Sequence, residues 1–335
     1  MAQSLDINSS TYAGELSLPY VRAAVLAADS VANGYITLKD GIKYKAVLKK
    51  LTGGTIVANS CDFSATEGSL DLDEVLITTT ELAIMEEICK KDFRSDWEAM
   101  QTGAGLANDQ IPPNFETFLL SYLAEIAAAN MEKLIWAGKY NPASGATTGT
   151  GVLTAYDGIL ARVVAGTPGD ETTVAGAFTP DANGTTGILT HMNSLVTGCP
   201  DAIAGDPNTV IFMSRKTMAL LQTAMSGVAV FQANATDTTG YAGAGYSPVF
   251  VGQDRPTQYL GYQIIVPSGF PNDTLVISQT TNFVFGTNLM ADFNEVVVVD
   301  MTRTDASDNV RMKMVFSGGT QVISLADVGV VRRTS

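Results

Sequence analysis

Residues 259–301 read YLGYQIIVPSGFPNDTLVISQTTNFVFGTNLMADFNEVVVVDM, and residues 310–331 continue VRMKMVFSGGTQVISLADVGVV. Runs of Val, Ile and Phe, each four to eight residues long, alternate here with clusters of Pro, Gly, Asn and Asp. Short apolar runs bounded by turn formers predict strands: YQIIVPS, TLVISQ, NFVFG, EVVVVDM, VRMKMVFS and TQVISLADVGVV. Strands gathered late in a chain whose helical patterns lie earlier predict an α+β fold and not a repeating βαβ one.

Upstream of this run, ILTHMNSLVTGCPDAI carries Ile188, Met192, Leu195 and Cys199 at helical spacing, NTVIFMS is a strand, and RKTMALLQTAM is a helix striped by Met218, Leu221 and Met225. Residues 141–186 are rich in Gly, Thr, Ala and Pro. They flank a short amphipathic piece, AYDGILARVVAG, in which Tyr156, Ile159, Leu160, Val163 and Val164 recur with helical period. The strongest helix pattern spans 113–138. Phe115, Leu119, Tyr122, Ile126 and Leu134 keep to one face, flanked by Phe118, Leu123 and Ile135. Pro112 and Pro113 start it and Gly138 ends it. At 1.5 Å per residue it reaches about 39 Å. Residues 81–100, with Leu82, Met85 and Cys89 on one face, are predicted mainly helical.

The first 34 residues read as a loose arm with one short helix, capped by Ser17, led by Pro19 and closed by Gly34. Alternation then takes over from Tyr35, with Ile42, Tyr44 and Ala46 on one side and Lys43 and Lys45 on the other. Glycines at 53, 54 and 68 break the extended pattern, and residues 35–80 predict a long β-hairpin. Its charges are sorted: Lys39, Lys43, Lys45, Lys49 and Lys50 come first, and Asp62, Glu67, Asp71, Asp73 and Glu74 follow with no base between them. Such runs fit a solvated face, and equally a surface complementary to a neighbouring copy of the same chain. These ten residues are the candidate subunit-interface residues.

Composition narrows the function. The 335 residues are 46% hydrophobic and 16% charged, against a usual charged share of about 25%, so the chain has a core and is not disordered. Twenty basic and thirty-four acidic residues leave a net charge of −14, the wrong sign for tight binding to nucleic acid. Three scattered cysteines, Cys61, Cys89 and Cys199, predict buried thiols in a reducing compartment. MAQSLDINSS lacks the pattern of a secretory signal, and no stretch offers the roughly 20 apolar residues of a membrane span. The expectation is a soluble chain made in the cytoplasm, with no membrane partner.

Chemistry is not signalled. His191 is the only histidine, and it reads as a surface or partly buried helical residue, not half of a nucleophile–base pair. Cysteine and histidine lack zinc spacing. Asp71, Asp73 and Glu74 resemble half a calcium loop without its glycine and closing glutamate. The Gly-x-Gly fragments at 103, 149 and 243 lack a third glycine, and no Walker-type Gly-Lys-Ser/Thr occurs. The expectation is no catalytic residue, no cofactor and no metal; acid pairs for a hydrolase exist in any chain with 34 carboxylates, and none stands out.

Taken in order, these parts resemble the major capsid proteins of tailed bacteriophages with the HK-97-type fold. The arm 1–34 is similar to the N-arm, the hairpin 35–80 to the E-loop, and the helix 113–138, ending LIWAGKY, to the spine helix of a peripheral domain covering 81–186. Residues 187–290 resemble the axial domain, and 291–335 its C-terminal strands returning to the peripheral domain. CDFSATEGSLDLDEVLITTTELAIMEEICKKDF is similar to one subgroup of such proteins. The resemblance implies a non-enzymatic virion protein that self-assembles, as hexamers and pentamers, into an icosahedral head around the genome. It also implies a separate scaffolding protein or an already trimmed chain, a portal, and decoration proteins, with DNA enclosed and not tightly bound. The Lys–Asn crosslink of the type member is not carried over, because no lysine here is matched to it with certainty. A bacterial nanocompartment shell of the encapsulin kind is the alternative within the fold, and an acidic hydrolase the alternative outside it.

Overall fold

A computed structural model of the chain describes residues 10–13, 28–53, 70–89, 113–141, 154–180, 186–234, 258–288, 295–301, 307 and 309–334. In chain order these form β1 (Ser10–Ala13), α1 (Asp29–Ala32), β2 (Thr37–Lys39), β3 (Lys45–Gly53), β4 (Leu70–Thr78), β5 (Thr80–Cys89) and α2 (Pro113–Ala137). There follow α3 (Ile159–Ala165), β6 (Asp170–Ala175), α4 (Ile188–Thr197), β7 (Thr209–Met213), α5 (Arg215–Asn234), β8 (Gln258–Tyr259) and β9 (Tyr262–Ile265). The chain closes with β10 (Thr274–Gln279), β11 (Phe283–Thr287), β12 (Glu295–Asp300), β13 (Asn309–Val322) and β14 (Gly329–Thr334). The fold is α+β, as its late strands predict.

Two six-stranded sheets and one hairpin organise these elements. The first sheet runs β1-β12-β13-β11-β2, with β5 also on β13; the second runs β6-β14-β10-β7-β9-β8; β3 and β4 pair only with each other. The 14-residue β13 fuses two runs that read as separate strands. Its residues 309–318 pair with β5, 310–315 with β12 and 318–322 with β11.

The alternation of the second sheet divides the core. Val210, Phe212, Val276 and Val330 face α2, α3 and the first sheet, while Ile211, Met213, Leu275, Ile277 and Val331 face α4 and α5. Strands covered on both faces read as continuous apolar runs, as TVIFM and TLVIS do. Trp136 on α2 joins the two sheets, with its ring centroid 5.0 Å from Phe212, 5.1 Å from Phe270 and 5.8 Å from Phe283. All four predicted stripe residues of α4 and its exit, Ile188, Met192, Leu195 and Cys199, are buried.

Several expectations change. Residues 80–89 are a strand, not a helix: Leu82 is buried, Ile84 and Ile88 are half-buried, and Met85 is 67% exposed. The long edge of β13 offers this segment ten paired positions, which outweighs the helix propensity of its glutamates. Residues 90–100 lie outside the described residues. Within the predicted arm, β1 is an edge strand on β12, and the start of the predicted helix at Ser17 lies outside the described residues. In α2 the predicted Leu134 and Ile135 are buried and Ile126 is half-buried, while Ala127, Ala128, Met131 and Trp136 join the buried face; the side chains of residues 113–123, including Phe115, Leu119 and Tyr122, lie outside the described residues. The strand β6, hidden in the Gly/Thr-rich stretch, runs parallel to β14. Sheet membership thus cuts across the segments drawn on sequence, since β6 and β14 join the strands of 187–290 in the second sheet while β11 joins the first. His191 is buried, not at the surface, and packs on Phe178 with ring centroids 4.8 Å apart; burial lowers its pKa. Cys199 is buried as expected, Cys89 is half-buried, and Cys61 lies outside the described residues.

Candidate subunit interface

The predicted hairpin is present, with its arms at β3 and β4. They pair from Lys45↔Thr78 to Gly53↔Leu70, a ladder of about 30 Å at 3.3–3.4 Å per residue. β2, although inside the 35–80 segment, belongs to the first sheet, parallel to β11.

Two faces follow from the register. The inner one carries Ala46, Leu48, Val75 and Ile77, which close a small core with Ile42, Val284 and Ile323. Glycine makes the seat for this root. A Cβ at Gly286 would come within 2.7 Å of both Ile42 and Ile77, and one at Gly319 would overlap the Thr78 carbonyl. Polar contacts fasten the same end. The Thr79 N–H donates to the Tyr44 carbonyl (3.0 Å), Ile42 N–H to Thr287 carbonyl (3.2 Å), and Gln321 Nε2 to the Leu76 carbonyl (2.8 Å).

The outer face is different. Val47 is 41% exposed, Leu72 54% and Leu76 52%, and Tyr44 at the bend before β3 is 65% exposed. Lys49 and Glu74 stand opposite each other amid these apolar residues, 3.7 Å apart and both well exposed. Such a pair contributes about 0–1 kcal/mol. Tyr44 had been expected beside Ile42 and Ala46; the bend at Lys43–Tyr44 turns it outward, while Ile42 and Ala46 stay with the small core.

The ten candidate residues separate by role. Lys50 works within the chain: its Nζ donates to Ser324 Oγ (2.5 Å) and lies 3.3 Å from Asp327 Oδ2, anchoring the hairpin to the segment after β13. Lys39 Nζ reaches the Val47 carbonyl at 3.4 Å. Lys45 lies 5.2 Å above the Tyr44 ring, and Lys43 is exposed at the bend. Asp73 faces Lys50 in the register and is exposed. Asp71 is placed only by its backbone in β4, and Asp62 and Glu67 lie outside the described residues. The sorted charges therefore partly pair across the hairpin itself.

A second site escaped the sequence reading. Glu132 of α2 is buried, and its carboxylate accepts hydrogen bonds from Ser30 N (3.0 Å), Ser30 Oγ (2.5 Å) and Trp136 Nε1 (3.1 Å). Trp136 Nε1 also donates to Ser30 Oγ at 2.7 Å. This clasp ties α1 to the long helix α2. Burial raises the Glu132 pKa above its ordinary value, with the Ser30 bonds and Trp136 opposing and the Asp29 charge adding to the rise. The sequence signal was a glutamate set between Met131 and Ile135, on the side of the helix that turns inward.

Among the described residues no group of three or more His, Cys, Asp and Glu side chains is placed to hold a metal. No described helix is long and apolar enough to cross a membrane.

No family model and no curated protein matches the sequence. Solved structures do match. A chain of the satellite phage P4 procapsid, a structure that includes the size determination (Sid) protein, is 12% identical with a TM-score of 0.56, over 99% of this chain and 93% of that one. A chain of the native GTA particle capsid is 15% identical with a TM-score of 0.54, over 93% and 91%. A chain from Gordonia phage Cozz is 13% identical with a TM-score of 0.51, over 92% and 87%. At these identities the likeness is one of fold, and this chain has the HK97-like fold of tailed-phage and GTA capsid proteins.

Proposed function

We propose that this chain is the shell subunit of a tailed-phage head, many copies of which, as hexamers and pentamers, close into an icosahedral capsid around the genome. The observation that carries the reading is the fold match along nearly the whole of both chains to a procapsid chain. The outer hairpin face supports it, because Val47, Leu72 and Leu76 form an apolar stripe that is exposed among the described residues. In the assembled head that stripe is buried against a neighbour, as obligate interfaces bury more than about 2,000 Å².

In this reading residues 1–34 are the N-arm and 35–80 the E-loop, with α2 the spine helix of the peripheral domain. The second sheet with α4 and α5 makes the axial domain, joined by β6 and β14. Lys39, Lys43, Lys45 and Lys49 with the acids at 62–74 form intersubunit contacts. A separate scaffolding protein and a portal complete the assembly, and the mature chain resides in the virion. The net charge of −14 keeps packaged DNA from adhering to the wall.

Negative-stain electron microscopy of the protein expressed alone, and again with lysate of its natural source, tests the proposal. Closed angular shells, tubes or hexagonal sheets are expected. Monomers under every condition, together with a protease-resistant hairpin, would sink it. Small shells filled with a cargo enzyme instead of DNA would move the chain to the nanocompartment alternative.

A further inference from the structure

We propose that the cleft beside Arg162 is a docking site for a carboxylate carried by a second copy of this chain. The inference deepens the shell reading and rests on it. The helix α3 places Ile159, Leu160 and Val163 in the core. Arg162, its one polar residue, is left to line a cleft of about 450 Å³ between α3, the hairpin root and the chain after β13. The walls are apolar, from Val75, Ile323 and Leu325, and Asp157 and Gln321 also border it.

The guanidinium Nε has no acceptor among the described residues. It is cut off from solvent, and the side chain makes no ion pair among the described residues. The acid beside it, Asp157, is held by Lys139 at 3.1 Å. Burial lowers the Arg162 pKa, partly offset by Asp157, yet an arginine stays protonated at any ordinary pH. A cation partly removed from water, with Nε unpartnered and only Asp157 opposing its charge, is incompletely compensated among the described residues. Its planar fork of donors is matched by a carboxylate in bidentate geometry.

The apolar walls specify an acid with apolar neighbours in extended chain. This chain supplies that chemistry: the outer face of β4 carries Glu74 between Leu72 and Leu76, both leucines more than half exposed. The partner of Glu74 in its own chain is Lys49, 3.7 Å away, and both side chains are well exposed, so the pair is readily exchanged. Thirty-four acids against twenty bases leave every copy with carboxylates to offer and few cations to receive them.

The test uses the Arg162→Lys variant, assembled from a mixture of isotope-labelled and unlabelled chains and treated with a water-soluble carbodiimide. Mass spectrometry of the digest is expected to find the new amine amide-linked to an Asp or Glu peptide of opposite label. Arg162→Leu is expected to lower particle yield about tenfold or more, the scale of a buried interface arginine, while its subunit melts as the parent does. Links at position 162 confined to one label, to Asp157 or Asp73 of the same chain, overturn the proposal, as does the absence of any link in intact particles. A parent chain that never assembles overturns the shell reading and this site with it; parent particles without mixed links overturn this site alone.

Discussion

Glu132→Ala removes the acceptor that holds α1 against the long helix, and the cost is readable from the clasp. The Ser30 N–H loses its partner, the Ser30 hydroxyl loses its acceptor, and Trp136 keeps only its 2.7 Å bond to Ser30. Each buried donor left unsatisfied costs about 1–3 kcal/mol, and breaking a buried charged network by removing one member costs about 3–5 kcal/mol. For a chain of this size about 1 kcal/mol moves the Tm by roughly 2 °C, so a fall of about 6–10 °C is expected in differential scanning calorimetry of the subunit. A loss below about 1 kcal/mol, the level of an ordinary surface substitution, would refute the clasp as a structural element.

Its pH dependence gives an independent check. Burial makes the folded-state pKa of Glu132 higher than the unfolded one, so the folded chain binds the proton more tightly. The stability this group contributes is then fully present below its ordinary value of 4.5 and is lost as pH rises through the folded pKa. Glu132→Gln cannot titrate. The Tm of the parent minus that of Glu132→Gln should therefore grow as pH is lowered from 7.5 towards about 4.5. A flat or shrinking difference would mean that the hydrogen bonds to the carboxylate outweigh its desolvation.

Other expectations follow from the same geometry. Ile135→Asp buries an unpaired charge beside Trp136 and should abolish soluble subunit, whereas Ile126→Asp, at a half-buried position, should leave soluble protein; equal solubility of the two would mean the helix face is wrongly placed. Leu72→Ser with Leu76→Ser, and separately Lys43→Glu with Lys45→Glu, should cut particle yield while shifting subunit stability by no more than about 0.5 kcal/mol. A parallel fall in calorimetric Tm would refute the interface role. Gly319→Val meets the backbone at Thr78 and should cost about 1–3 kcal/mol or more, with faster proteolysis of the hairpin as the readout; unchanged digestion would show that the seat does not hold the root.

The late strands, the helix 113–137, the α4 stripe and the hairpin were legible because each has a local period or a local turn. The misses share a cause. Leu82, Met85 and Cys89 lie at helical spacing, yet Leu82, Ile84 and Ile88 also lie at strand spacing, and the choice was made by β13, more than 200 residues away. DETTVA has only Val174 buried and became β6 through parallel pairing with β14, which no local pattern announces. The hairpin charges were visible as runs, but whether a lysine serves its own chain depended on register: Lys49 found Glu74 across the ladder, and Lys50 found Asp327 at the far end of the sequence. Arg162 gave no signal at all, since an isolated arginine in ILARVVA reads as the solvent face of a helix.

The long-range and short-range charges of this chain oppose each other, and salt separates them. Every copy carries −14, so whole subunits repel over distances of a Debye length, about 10 Å at 0.1 M and 3 Å at 1 M ionic strength. The contacts proposed for the hairpin lysines and for Arg162 would act at hydrogen-bond distance between groups leaving water, where screening is weak. The apolar stripe of Val47, Leu72 and Leu76 is not weakened by moderate salt and is strengthened by sulfate. Raising sodium chloride from 0.05 to 0.3 M should therefore increase both the rate and the yield of assembly, followed by light scattering. A monotonic fall would mean that exposed ion pairs dominate the contacts, and would move the sorted charges from a minor role to the main one.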